Sequence, residues 1–112
     1  APDASKPLLS KSEQSNGYIP HLLRVLANSP AALETYLTVS GINGRASLDF
    51  PAREAVQITA AATHGCGFCV AGHTAVAYKK LGLPPEVVDA LRERRPVPDA
   101  RLDALARFTE AV

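Results

Sequence analysis

The stretch HGCGFCVAGH, residues 64–73, holds both cysteines of the chain and two of its three histidines. Cys66 and Cys69 are separated by two residues, and His73 follows Cys69 by four. In a reducing compartment, two thiols this close together are typical of redox chemistry or of metal binding. Three roles are therefore open to the pair: a metal site, a structural disulfide or a reactive dithiol.

Helical geometry favours the reactive dithiol. At about 100° per residue, a helix places Cys66, Cys69 and His73 on the same face. If the cysteines lie in the first turn, the unpaired backbone N–H groups and the helix dipole stabilise a thiolate there. Gly67 keeps that turn open to a substrate. The segment thus has the components of a nucleophilic thiol pair with a histidine one turn away.

Other readings of the pair stay open from the residues alone. A structural zinc site needs four ligands; Cys66, Cys69 and His73 supply three, and His64 or Glu54 is a candidate for the fourth. A thioredoxin-like site normally follows a strand in a βαβ unit, and the sequence shows no alternating strand pattern. Two cysteines can also simply fill a hydrophobic core.

The hydrophobic pattern is helical throughout and predicts an all-α protein. One helix is expected from residues 49–51 to about His64, and it is mostly apolar on every side, as a buried helix is. Gly65 ends it, and the next helix begins at the cysteines, so the two are expected to form a central hairpin. Glu54 is the only acidic residue between positions 51 and 70. It is a candidate base, and equally a first-turn glutamate favoured by the helix dipole.

Further helices are predicted around this hairpin. They cover residues 20–28, 29–41, 84–96 and 99 onward. Gly41 is expected to end the second of these helices, and Arg92, Arg94 and Arg95 are expected to lie at a solvated end of the third. Residues 1–17 are polar and rich in Pro, Ser and Lys, which predicts a flexible N-terminal arm. Residues 18–112 then form the domain. The last helical pattern is still open at residue 112, as in a domain truncated at its C-terminus.

The overall charge excludes some classes of partner. Twelve basic and eleven acidic residues give a formal net charge of +1, which provides no electrostatic footprint for nucleic acid or a membrane surface. No apolar run reaches the roughly 20 residues that a membrane span needs. The N-terminal segment also lacks the apolar core of a signal peptide. We therefore expect a cytoplasmic protein with no nucleic-acid or membrane partner.

Glu54, Cys66, Cys69 and His73 together form the pattern E-x11-C-x2-C-x3-H. This pattern resembles the core motif of the alkylhydroperoxidase AhpD-like family, within the carboxymuconolactone decarboxylase-like superfamily. The resemblance extends over roughly residues 18–112. The decarboxylases themselves lack the cysteine pair, which argues against decarboxylation here.

The resemblance implies a thiol-dependent peroxidase that reduces alkyl hydroperoxides or hydrogen peroxide. Carried over by position, Glu54 acts as a base through His73 on Cys69, Cys69 attacks the peroxide, and Cys66 resolves the product to a disulfide. The best-studied members have a histidine where this chain has Phe68. We expect that departure to bear on the rate, the peroxide preference and the details of the relay, while the four-residue core is kept.

The resemblance also implies an all-helical AhpD-like domain that assembles as a homo-oligomer, a trimer or a hexamer. The expected reductant is a dithiol, a thioredoxin-like protein or a lipoyl group, with no cofactor and no metal. Two other functions stay open. One is a non-peroxidatic disulfide oxidoreductase or redox partner. The other is a non-enzymatic helical assembly module whose cysteine pair is vestigial or binds metal.

Overall fold

The computed structural model describes all 112 residues and contains seven α-helices, a short 3-10 helix at Asp3–Ser5, and no strand, which confirms the all-α prediction. The helices are α1 (Lys6–Asn16), α2 (His21–Leu26), α3 (Pro30–Asn43), α4 (Phe50–Thr63), α5 (Gly67–Lys79), α6 (Pro85–Glu93) and α7 (Ala100–Ala111). The chain divides into two compact units, residues 1–46 and residues 47–112. No helix combines the length and the apolar character needed to cross a membrane.

The second unit is built around α4, which contacts α5, α6 and α7. Its core is apolar and almost fully buried, with Ile58 of α4, Val88 and Leu91 of α6 and Leu102 of α7 at its centre. Burying a side chain of this size contributes roughly 1.5–3 kcal/mol. These contacts hold α4 in place and so determine where its polar residues lie.

Helix α4 begins where the sequence predicts it, and its start is fixed by a side-chain cap. Asp49 is the N-cap residue, and its carboxylate accepts a hydrogen bond from the Ala52 N–H at 3.0 Å. Arg101 of α7 lies 3.0 Å from the other carboxylate oxygen. The hydrogen bonds from Arg101 and then from Ala52 hold the pKa of Asp49 below its usual value. The cap therefore also ties α7 to the first turn of α4.

The first unit has a smaller core formed by Leu23, Ala27 and Leu33. Leu8 and Leu9 of α1 pack against this core. Helix α1 thus occupies most of the segment that composition alone described as a flexible arm, because two adjacent leucines are enough to attach it. The mobility of residues 1–17 and the domain boundary after residue 17 stay predictions.

Helix α3 continues past the residue expected to end it. The sequence predicts that this helix ends at Gly41, but it runs to Asn43. A glycine ends a helix most effectively when it adopts the left-handed conformation. Gly41 is not among the glycines with positive φ, so it is simply an interior helical residue.

Candidate active site

The joint between α4 and α5 is a tight helix-ending motif. Gly65 has a φ of 72°, in the left-handed region. The Cys66 N–H donates to the Ala61 carbonyl at 2.9 Å, and the Gly65 N–H donates to the Ala62 carbonyl at 3.4 Å. This pair of bonds defines a Schellman motif, which satisfies two of the last carbonyls of α4. The chain can therefore turn at once into the next helix.

Cys66 also begins α5. It is the N-cap residue of that helix, and its Sγ accepts a hydrogen bond from the Cys69 N–H at 3.3 Å. A backbone N–H directed at sulfur in the first turn of a helix stabilises the thiolate form. The same residue thus closes α4 through its amide and opens α5 through its sulfur.

Cys66 and Cys69 are joined to each other by a disulfide, with their Cα atoms 5.3 Å apart, and the chain has no free cysteine. Both residues are partly exposed. No group of three or more His, Cys, Asp or Glu residues is placed to hold a metal ion. The predicted pairing is therefore present, while its reversibility stays a prediction.

Glu54 and His73 meet across the hairpin. Glu54 Oε2 lies 2.7 Å from His73 Nδ1, although the two residues are 19 positions apart in the sequence. The Glu54 side chain is only 9% exposed, and that of His73 is 33% exposed. Burying a carboxylate is costly unless it is hydrogen-bonded. The histidine provides that bond, so Glu54 is more than a solvated first-turn residue.

This contact sets the state of the imidazole. A carboxylate only accepts hydrogen bonds, so the contact with an ionised Glu54 requires the tautomer in which His73 Nδ1 carries the proton and donates it. The other ring nitrogen, Nε2, is then left to exchange protons with a reacting group. Because His73 lies four residues after Cys69 on α5, its ring is one turn from that cysteine on the same helix face.

The structure thus brings the four residues of the motif onto one hairpin. Glu54 contacts His73, and Cys66 is bonded to Cys69. His64 is the C-cap residue of α4 and is exposed. Phe68, which stands between the two cysteines, is 64% exposed.

The sequence model of the carboxymuconolactone decarboxylase family matches residues 30–111, a range that contains every residue of the motif. The chain belongs to this family. The carboxymuconolactone decarboxylase family includes AhpD-like proteins, so the resemblance stated above is confirmed at the level of the family. No curated protein gives a significant match.

The sequence does not predict that Arg92 lies near this site. Arg92 of α6 was assigned to a solvated helix end, but it lines a cleft together with Gly65 and Gly67. Its position depends on how α6 packs against α5. No local sequence signal reports that packing, because a terminal arginine on a helix is usually a solvated residue.

Proposed function

We propose that this protein is a thiol-dependent peroxidase that reduces alkyl hydroperoxides or hydrogen peroxide with Cys66 and Cys69. The observation that carries the proposal is the 2.7 Å contact between Glu54 and His73 on the hairpin that holds the disulfide. Peroxide reduction needs a thiolate and also a proton for the departing oxygen. A cysteine pair and a carboxylate–histidine pair on the same hairpin can provide both.

In the first half of the cycle, the Cys69 thiolate attacks one oxygen of the hydroperoxide. An S–O bond forms and the O–O bond breaks, and the departing alkoxide takes a proton delivered through His73 Nε2. The products are an alcohol and a sulfenic acid on Cys69. The Cys66 thiolate then attacks the Cys69 sulfur, and the hydroxide that leaves takes a proton and becomes water.

That sequence ends in the Cys66–Cys69 disulfide. A dithiol reductant then returns two electrons and two protons and becomes a disulfide itself. The sum of the cycle is one hydroperoxide and one dithiol converted to one alcohol, one water and one disulfide.

Two effects compete to decide which sulfur attacks the peroxide. The Cys66 sulfur accepts the Cys69 N–H at the tip of α5, and such helix-terminal stabilisation is worth about 1 kcal/mol. Cys69 lies one turn from His73, and a positioned acid or base contributes about 10²-fold or more to the rate. The second effect is the larger, since a factor of 10² corresponds to about 2.7 kcal/mol. We therefore assign the first attack to Cys69.

The roles of the two cysteines can be tested with single variants. Reduced wild type should consume peroxide and form the disulfide, seen by mass spectrometry as the loss of two hydrogens. Cys66→Ser should consume one equivalent and leave a sulfenic acid on Cys69 that dimedone traps, because the resolving thiol is missing. Cys69→Ser should not react. The reverse pattern would assign the attack to Cys66, and no consumption by wild type with any dithiol present would refute the peroxidase.

A second candidate is a disulfide oxidoreductase that does not use peroxide. The N–H contact to the Cys66 sulfur favours it, because that contact activates the first cysteine of the pair as in thiol–disulfide exchange. Such an enzyme would reduce or oxidise a protein disulfide with no dependence on Glu54. A normal rate of disulfide exchange in Glu54→Gln, with no reaction toward peroxide in wild type, would establish this candidate.

We also propose that the protein is a cytoplasmic homo-oligomer, a trimer or a hexamer. Helix α5 buries only Thr74 and Ala77 within the chain, and Phe68 is 64% exposed. Soluble monomers rarely leave a large apolar surface uncovered. A second copy would cover this face, and a cycle driven by dithiols suits a reducing compartment.

A further inference from the structure

The first unit of the chain contains a cleft of about 450 Å³ between α1 and α3. Leu8 of α1 and Leu37 of α3 form its apolar part, and both pack against the small core of this unit. Small-molecule sites in proteins have volumes of roughly 300–1,000 Å³ and combine an apolar surface with a few polar groups. The size of this cleft and its two leucines therefore suit a small ligand with an apolar portion.

Helix α1, which forms one wall of the cleft, is attached by more than its leucines. The hydroxyl of Ser5, the residue before α1, donates a buried hydrogen bond to the Ala27 carbonyl at 2.7 Å. At the other end of the helix, the Gly17 N–H donates to the Glu13 carbonyl at 2.8 Å. Gly17 has a φ of 79°, the left-handed conformation that commonly ends a helix. Both ends of this wall are therefore defined by hydrogen bonds within the first unit.

Two opposite charges lie on the rim of the cleft. Lys11 belongs to α1 and Glu34 to α3, and both side chains are exposed. Neither takes part in an ion pair with another residue of the chain. A charged side chain without a partner in the protein can form charge-assisted hydrogen bonds with a ligand. An anionic group in the cleft would meet Lys11, and a cationic group would meet Glu34.

The other polar side chains of the cleft can complete these contacts. Asn16 Nδ2 donates a hydrogen bond to Ser12 Oγ at 3.3 Å, which leaves the Asn16 side-chain oxygen as an acceptor for an ammonium group. The hydroxyls of Ser15 and Thr38 also line the cleft. A hydroxyl can donate to a carboxylate or accept from an ammonium group. The polar groups thus suit a ligand that carries charges of both signs.

We propose that this cleft binds a free α-amino acid with an apolar side chain. The carboxylate of the ligand binds Lys11, its ammonium group binds Glu34, and its side chain lies against Leu8 and Leu37. A ligand with only one charge leaves one of the two rim residues without a partner. The zwitterion is therefore favoured over a simple amine or a simple acid of the same size.

This binding site is separate from the proposed peroxidase chemistry. None of the four motif residues lines the cleft. The match to the family model begins at residue 30, so α1 and its half of the cleft lie outside the matched range. The inference therefore stands or fails without the proposed function.

The test is isothermal titration calorimetry of the full-length protein with L-phenylalanine and three analogues. Phenethylamine lacks the carboxylate, 3-phenylpropionate lacks the ammonium group, and glycine keeps both charges but has no apolar side chain. We expect each analogue that lacks a charge to bind about fivefold more weakly than phenylalanine, the scale of one exposed ion pair. Glycine should bind at least about tenfold more weakly, because it covers neither leucine.

Charge variants identify the residues that contact the ligand. Lys11→Gln should weaken the binding of phenylalanine and 3-phenylpropionate and leave that of phenethylamine unchanged. Glu34→Gln should weaken the binding of phenylalanine and phenethylamine and leave that of 3-phenylpropionate unchanged. Both side chains are exposed, so neither change disturbs the core. Lys6→Gln and Glu13→Gln are the matched controls, because these residues carry the same charges on α1 and do not line the cleft.

Hydrogen–deuterium exchange locates the bound ligand. Phenylalanine should slow exchange in α1 and α3 and leave α5 unchanged, because a ligand that binds two helices stabilises their folded form. Protection confined to α5 would overturn the proposal. No binding at millimolar phenylalanine, equal affinities for the three aromatic ligands, or the same loss in the control variants as in Lys11→Gln and Glu34→Gln would also overturn it. Each of these outcomes leaves the reaction of the cysteines with peroxide untouched.

Discussion

Replacing Glu54 with glutamine tests whether this carboxylate moves a proton or only orients His73. Glutamine has nearly the same size and can still hydrogen-bond to Nδ1, so the 2.7 Å contact can persist without the charge. A hydrogen bond to a charged group is worth about 1.5–3 kcal/mol and a neutral one about 0.5–1.5 kcal/mol. Because the Glu54 side chain is 9% exposed, water does not replace what is lost.

The difference between the two bonds is about 1 kcal/mol, or roughly fivefold in the population of correctly oriented imidazole. If Glu54 only orients the ring, the oxidation of Cys69 slows by about that factor. If the pair also moves the proton, the loss is about 10²-fold or more, as for other positioned acids and bases. We expect the larger loss, together with a decrease of about 1 kcal/mol in the free energy of unfolding.

The assay is stopped-flow mixing of reduced protein with an alkyl hydroperoxide, with the loss of free thiols as the signal, so that the reductant plays no part. Glu86→Gln is the control, because Glu86 is an exposed carboxylate on α6 that contacts neither His73 nor the cysteines. A fivefold or smaller effect in Glu54→Gln would refute the proton relay and leave Glu54 as a positioning residue.

Three further predictions concern the packing of the chain. Leu91→Ala should lower the free energy of unfolding by about 2–5 kcal/mol in urea, because Leu91 is 1% exposed at the centre of the second core; a loss below 1 kcal/mol would show that the core is loosely packed. The hydrogen bond to Asp89, helped by burial, raises the pKa of Tyr78 above its ordinary 10.0. That bond therefore stabilises the fold below pH 10, and its contribution is lost as the pH rises through the raised pKa of Tyr78. The difference in Tm between wild type and Tyr78→Phe should therefore narrow above pH 10. A difference in Tm that does not change with pH would contradict the raised pKa of Tyr78. Light scattering after size-exclusion chromatography should give three or six times the mass of the chain, and a monomer at micromolar concentration would contradict the proposed assembly.

Much of the site could be predicted because its information is local. The residues Cys66, Cys69 and His73 follow one another on a single helix, so their spacing alone places them on one face. Glu54 lies on the preceding helix, and Gly65 signalled that the two helices join with a short turn. The contact between Glu54 and His73 then requires only that the two helices pack side by side.

The remaining features depend on packing that no local pattern reports. Helix α1 carries adjacent leucines rather than apolar residues three and four apart, so it lacked the helical pattern and reads as an arm. Gly41 looks like a stop signal until its backbone conformation is seen. Arg92 became part of a cleft only because α6 lies against α5, and an arginine at a helix end gives no indication of such a neighbour.

Because Cys66 takes part in both the end of α4 and the start of α5, the hairpin has no linker residue outside these two caps. Since its amide closes α4 and its sulfur opens α5, every residue of the joint is already engaged by a cap. Inserting or deleting one residue there would rotate α5 by about 100° relative to α4. His73 would then turn away from Glu54, while both helices could still form. The eleven-residue gap between Glu54 and Cys66 therefore sets the rotation of α5 relative to α4, and we expect a one-residue change in this gap to separate His73 from Glu54.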